Sequence, residues 1–369
     1  MTTITQAIGE PVNLYVPPPP PTELSVSAAL RYLKLTPGAS TVSICDSSAN
    51  IQKNLATLQS LNGRISAIFA SSEASQNLTV SYKDFVADKG VLAKWTINAN
   101  HKFDFTDVTV SNANNIWNRD FTNTVTIKDT AVNIQNGFDN LNYIVSRDPA
   151  KISSITQLNT ALITISTSQF REGTSLLSKI NKGVYNLGIN NATVEDVVLP
   201  DLGTATGTEL KLGYNSKVKS ISIVDTTDAI DIGLDKLQRV GIKIKSIAQN
   251  NTSIDNTLEL DASQIKADAS VLGKIITGYQ LAAQNAASTQ LNNLLSNKKV
   301  IAIDVVDNAA NISKNWNSIN SINSSVISSV KVTDGNTAAV KISASQLAVS
   351  KSLINRFSPP GANGAASFK

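Results

Sequence analysis

The amino-acid sequence predicts an α/β repeat protein, an elongated solenoid of short parallel strands and helices in four imperfect copies of about 80–95 residues. Three observations carry this prediction. First, one ten-residue pattern occurs four times: Val42-Ser-Ile44-Cys-Asp46 to Ile51, Val125-Thr-Ile127-Lys-Asp129 to Ile134, Ile221-Ser-Ile223-Val-Asp225 to Ile230, and Ile303-Asp-Val305-Val-Asp307 to Ile312. Second, an alternating apolar run precedes each Asp and a helical apolar face follows it, so every copy turns from strand to helix at the same place. Third, a second short strand and a capping-box pattern recur further on in each copy. Such self-similarity marks architectures in which each unit buries its apolar face on the next.

The elements follow in chain order. Residues 1–21 end in Pro17, Pro18, Pro19, Pro20 and Pro21, which lack N–H donors and favour polyproline II, so the segment reads as an extended arm. Repeat 1 spans 22–100, repeat 2 spans 101–184, repeat 3 spans 185–278 with an inserted loop near 199–216, and repeat 4 spans 279–357. The tail, 358–369, begins Ser-Pro-Pro-Gly and reads as flexible. Linking strands begin at Phe103-Asp-Phe105, Tyr185-Asn-Leu187 and Tyr279-Gln-Leu281, and Leu24-Ser-Val26 reads as the same link before copy one.

After the opening strand, Asp46, Asp129, Asp225 and Asp307 stand where a helix N-cap belongs. The alternative, a row of cation ligands, is weakened by separations of 83, 96 and 82 residues. The helix then presents Ile51/Leu55/Leu58, Ile134/Phe138/Leu141, Ile230/Leu234/Leu237 and Ile312/Trp316/Ile319 on one face. Two strands follow, beginning at Ile65 and Leu78 in copy one and at Ile327 and Val340 in copy four. Ser81, Ser166, Asp261 and Ser343 then read as N-caps of a second helix, each with an acid or Gln three residues on. That helix ends near a basic–apolar pair such as Lys94-Trp95 or Arg356-Phe357, and a cation there suits the helix dipole. Alternating strands and helices predict parallel pairing in one continuous sheet. Four separate α+β beads are the alternative.

Composition narrows the chemistry. Apolar residues make up 41% of the chain, enough for a core, while aromatics are 5% and charged residues 16%. This Ser-, Thr-, Asn- and Ala-rich balance suits an extracellular surface better than a cytosolic enzyme. No basic run predicts nucleic-acid binding, and no apolar window is long enough to span a membrane. The N-terminal segment shows no basic and apolar leader pattern. Cys45 has no partner for a disulfide and reads as a small buried hydrophobe. His101, the one histidine, reads as a local surface residue rather than a zinc ligand. Trp95 and Trp316 fall at core positions. Trp117, in a link, is a candidate assembly contact with Phe357 and the prolines.

The string Val/Ile-x-Asp-Thr/Ser-Ala-x-Asn-Ile-x-x-x-Leu-x-x-Leu, with Ile-x-x-Ile, Leu-x-Ile-Ser-x-x-Gln and Leu-x-Lys-Ile after it, resembles repeats of large secreted bacterial surface proteins. These are adhesin-like or S-layer-like and associated with type I secretion. The resemblance covers nearly all of the chain after the proline arm. It implies an extracellular, cell-surface location and an export signal near the C-terminus. Many such proteins carry calcium-binding glycine–aspartate nonapeptides. This chain has no G-G-x-G-x-D run, so the expected cofactor is none, with calcium left as an alternative that no motif supports.

The expected function is therefore a self-assembling structural protein, an extracellular filament or S-layer subunit. Its partners would be copies of itself joined head to tail through the termini and solenoid ends, with cell-surface polysaccharide as a further partner. Two alternatives are a monomeric adhesin module binding glycan or host protein, and a secreted polysaccharide-active enzyme.

Overall fold

The structure is a computed structural model. It describes residues 23–38, 41–71, 77–97, 101–198, 211–250, 256–322, 325–334, 339–357 and 367–368. The prolines at 17–21 and the loop at 199–210 lie outside the described residues. The chain forms two compact units, Met1–Thr160 with Gly173–Val184, and Ala161–Glu172 with Tyr185–Lys369.

In the first unit, β1 (Val42–Asp46) and β2 (Ile65–Ala70) pair as a two-stranded sheet. Then β3 (Leu78–Ser81), β4 (Phe103–Val108), β5 (Thr122–Asp129) and β6 (Ile152–Gln157) form a four-stranded sheet in that order. In the second unit, β7 (Ile163–Ser166), β8 (Leu187–Ala192), β9 (Val218–Asp225) and β10 (Ile244–Gln249) form another. A third contains β11 (Thr257–Asp261), β12 (Gln280–Ala286), β13 (Val300–Asp307) and β14 (Ile327–Val332). Last, β15 (Ala339–Val340) pairs with β16 (Ser367–Phe368). The ladders between these strands are parallel. The protein is thus α/β, as the strand–helix alternation predicts.

The continuous sheet is not what forms. The strands divide among five separate sheets in the described residues. The third strand of a copy (β3, β7 or β11) leaves its own copy and pairs with the link strand of the next. Each four-stranded sheet therefore takes one strand from one copy and three from its successor. The unit boundary has the same cause: β7 and the helix Thr167–Glu172 belong to the second unit, and Gly173–Val184 returns to the first. Hydrogen-bond partners, which no repeat period reveals, decide where a sheet begins.

The opening strands keep the period of two, as at Val125 and Ile127, while in the strands that follow them the buried residues stand three apart, as at Ile152 and Ile155, where the ladder shifts register. Val125, Ile127, Ile152 and Ile155 are fully buried, while the residues between them are partly or wholly exposed. On the outer face hydroxyls pair across strands, as Ser43 with Ser66 at 3.0 Å and Thr126 with Ser153 at 2.9 Å. Parallel sheets usually bury both faces and read as unbroken apolar runs. Here the outer face is polar, and that explains the alternation in the sequence. Cys45 belongs to the half-exposed residues of β1, so it is not the buried hydrophobe the sequence suggested.

The helix after each opening strand packs its expected face. Ile134, Phe138 and Leu141 are completely buried, as are Ile312 and Trp316. In copies one, two and four the helix breaks into two short segments at Asn54, Gly137 and Asn315. Copy three keeps one helix, Thr227–Arg239. Gly137 owes its identity to packing: a Cβ there would lie 2.1 Å from Val110 Cγ1, and Gly233 meets Val194 in the same way at 2.3 Å.

Candidate functional site

The four repeated aspartates do not cap the helices that follow them. Those caps are the next residues, Ser47, Thr130, Thr226 and Asn308, whose side chains accept from backbone N–H groups three residues on. Each aspartate instead ties two helix starts together. Asp46 Oδ2 accepts from Val26 N–H, in the first turn of the link helix Val26–Leu35, at 2.9 Å, while Oδ1 accepts from Ser47 N–H at 2.7 Å and Asn50 Nδ2 at 2.8 Å. Asp129 does the same with Val110, Thr130 and Asn133. Asp225 accepts from Val194 and Thr226, and Asp307 from Ser288, Asn308 and Asn311. A single residue cannot reach its own helix N–H groups and those of a neighbouring strand–helix turn with the same oxygen, so the carboxylate divides the task. The signal missed in the sequence is Asp-x-x-x-Asn, present at Asp46/Asn50, Asp129/Asn133 and Asp307/Asn311.

This arrangement sets the charge state. Burial acts to raise the Asp46 carboxyl, but the bonds from Asn50, Val26 and Ser47 outweigh it and hold the pKa below the ordinary value. At Asp307, 8% exposed, burial is likewise outweighed by bonds from Asn311, Ser288 and Asn308. These oxygens are occupied by protein donors, so their role is structural.

The second set of caps lies where the sequence places it. Ser81 Oγ accepts from Asp84 N–H at 3.0 Å, and Ser166 and Gln169 cap each other reciprocally. Asp261 and Ser343 form full capping boxes with Gln264 and Gln346. Seven residues beyond each cap lies a position with no common chemistry: Asp88, Gly173, Asp268 and Ser350. Ser350 accepts from Trp316 Nε1 at 3.0 Å. Asp268, 2% exposed, is pushed up to about 6 by burial, then by the hydrogen bond and charge of Asp235. Asp88 is raised by burial and by Asp84.

The remaining candidates divide between core and edge. Trp95 is buried, and its ring meets His101 edge-on at 6.3 Å, so the histidine is half-buried in an aromatic contact. Trp117 is half-buried and edge-on to Tyr143 at 6.1 Å, with Arg147 over the tyrosine ring. A groove of about 490 Å³ in the first unit is lined by residues that include Lys53, Asp84 and Asp88, and Ser81 Oγ donates to an Asp84 oxygen. Among the described residues no three His, Cys, Asp or Glu side chains converge on one metal position, and no helix is long and apolar enough to cross a membrane.

The sheet ends show the clearest departure from the repeat. Trp95, Ile180 and Ile275 form single parallel bridges at the far edges of β2, β6 and β10, and they are 4%, 0% and 7% exposed. Phe357 makes the same bridge to Val330 and stacks on Trp316 at 5.9 Å, yet it is only half-buried. Phe357 is therefore a bridge residue of the fold first. Leu347, which holds the place of Phe85, Phe170 and Ile265, is 46% exposed, where Ile265 is 8% exposed and the two phenylalanines are half-buried. At the other end, Leu24 bridges Ile44, the register of Val108 with Ile127, Ala192 with Ile223 and Ala286 with Val305. Leu24 thus takes the register of the last residue of a link strand, where the sequence reading places it at the beginning.

These features define an α/β protein built from separate parallel sheets. No family model, curated protein or solved structure matches the chain.

Proposed function

We propose that this chain is a self-assembling structural protein of a bacterial cell surface, an extracellular filament or S-layer subunit whose copies join head to tail. The carrying observation is the exposure of Leu347 and the partial exposure of Phe357 in copy four, at positions that are more deeply buried at Ile265 and Ile275 in copy three. Apolar surface of this kind gains roughly 25 cal/mol per Å² when a partner covers it. Contact between unlike ends is heterologous, and such contacts build filaments when the rotation does not close. The resemblance of the repeats to secreted surface proteins supports the location, and no cofactor is part of this reading. The elongated solenoid belongs to the same proposal, with the copies stacked along one axis.

Negative-stain microscopy and sedimentation of the purified protein test it. Polymers that grow with concentration are expected, and their loss on deletion of residues 1–21 is expected too. Monomers at high concentration overturn the reading.

A monomeric adhesin module is the second reading, supported by the polar outer face of the sheets. There Asp104 Oδ1 accepts from Asn123 and Thr124, side chains of the kind that hold glycan hydroxyls. It requires a glycan-array signal from a monomer, lost when loop 199–216 is removed.

A further inference from the structure

We propose that the groove between the opening helix and the second helix of copy one binds a neutral polysaccharide, with the Asp88 carboxyl accepting a sugar hydroxyl. This rests on the glycan-binding part of the second reading above and gives it a site in the first unit.

The other copies show what Asp88 lacks. It stands seven positions after the cap Ser81, between the helical segments Tyr82–Ala87 and Lys89–Leu92. In copy four that position is Ser350, and Trp316 Nε1 of the opening helix donates to it at 3.0 Å. In copy three it is Asp268, which meets the Asp235 carboxyl of the opening helix. Copy one has Leu55 where copy four has Trp316, and Ala56 where copy three has Asp235. Neither side chain can form a hydrogen bond. The Asp88 residue is 8% exposed and lines the groove, and its carboxyl receives no hydrogen bond from the described residues. A buried carboxyl without a donor is costly, so this one calls for a donor from outside the chain.

Size and extent favour a chain of sugars. The groove, about 490 Å³, is within the range that holds small ligands. Gln52 and Lys53 line it from the opening helix, and Thr79 and Asp84 from the third strand and the second helix. Ser81 Oγ donates to one Asp84 oxygen at 2.7 Å and so steadies that carboxylate. A second hollow of about 440 Å³ shares Ala49, Gln52 and Thr79 with the first and reaches Asp104. There the groove meets the polar outer face of the sheet, where Asp104 Oδ1 accepts from Asn123 and Thr124. The path therefore continues beyond the length of one sugar ring.

The lining selects the kind of sugar. Asp84 and Asp88 accept, Lys53 donates, and Gln52 and Thr79 do both. Hydroxyls of a neutral sugar also donate and accept, so they satisfy both kinds of group. A uronate would set its charge against Asp84 and Asp88, and an amino sugar would set its charge against Lys53. Leu55 and Val80 line the same groove and supply apolar contact for the C–H face of a sugar ring. Burial, and then the charge of Asp84, raise the Asp88 pKa, and a hydroxyl donated to the ionised form acts in the opposite direction.

An array of neutral hexose, uronate and glucosamine oligosaccharides, probed with the full chain, tests the proposal. Signal from neutral oligosaccharides is expected, and calorimetric titration then measures the strongest of them against two variants. Ala56→Trp fills the groove from an exposed helix position and is expected to abolish binding. Asp88→Asn removes the charged acceptor and is expected to weaken binding at least about tenfold. Both variants are expected to keep the wild-type circular-dichroism spectrum. Binding that survives both substitutions and is lost with loop 199–216 overturns the groove and leaves glycan binding standing. A preference for uronate or glucosamine oligomers overturns the neutral ligand. A chain that binds no oligosaccharide of the array overturns the groove and the glycan-binding reading together.

Discussion

Carboxylates with the same side chain are held in opposite charge regimes in this chain. Asp46 and Asp307 collect N–H donors, which favour the ionised form. Their stabilising bonds are present above the ordinary aspartate pKa and are lost as pH falls through the lowered folded value. Asp268 runs the other way. Buried beside Asp235, it titrates near 6 in the folded protein, so the folded state binds more protons than the unfolded state between that value and the ordinary carboxylate pKa. Stability contributed by Asp268 is therefore full at acid pH and falls as pH rises through about 6. Asp268→Asn keeps the shape and removes the charge. Its melting temperature is expected to exceed wild type by roughly 2–4 °C at pH 8 and to match it near pH 3.5, read by differential scanning calorimetry. A gain of equal size at both pH values sinks the explanation.

At the scale of elements, the link helix and the opening helix of copies two and three approach so closely that a glycine stands between them, where copies one and four carry Asn54 and Asn315. Gly137 has φ −98°, which any residue can adopt, so its backbone gives no reason for glycine. The reason is Val110 Cγ1, 2.1 Å from where a Cβ would stand. Gly137→Ala improves helix propensity by up to about 1 kcal/mol. Overpacking against Val110 is expected to cost more, for a net loss of about 1–2 kcal/mol in urea unfolding. In a Val110→Ala background the same substitution is expected to be neutral or stabilising. Additive losses in the double variant would exclude the close approach as the cause.

The repeat makes the opening helix legible residue by residue: Ile134, Phe138 and Leu141 read as one face and are one buried face. The bridging role of Asp129 was not legible, because its partner Val110 lies 19 residues earlier on another element.

For the whole molecule, the boundary between units does not follow the boundary between copies. Residues Gly173–Val184 belong to the first unit although Ala161–Glu172, just before them, belong to the second. Leu176, Leu177 and Ile180 are buried, and burying each such side chain is worth about 1.5–3 kcal/mol. A fragment of residues 1–160 is therefore expected to melt below a fragment of residues 1–184, by thermal circular dichroism. Equal melting temperatures would mean that the returning segment adds nothing to the first unit.

Local rules were enough to establish the four copies, the strand–helix alternation, the apolar faces and the second set of caps, because each depends on residues within a few positions of one another. The parallel direction of the strands also followed from the alternation of elements. Tertiary structure alone decided which strands share a sheet, which residue each repeated aspartate holds, and where the chain's compact units divide. Those outcomes depend on hydrogen bonds between residues 18 or more positions apart, as with Phe103 and Phe121 or Asp129 and Val110, and on which apolar face finds cover. The two-stranded sheet of β15 and β16 belongs to this second class. Val340 and Phe368 read as a short strand and a tail residue until their pairing places them in the register of Leu78 and Phe103.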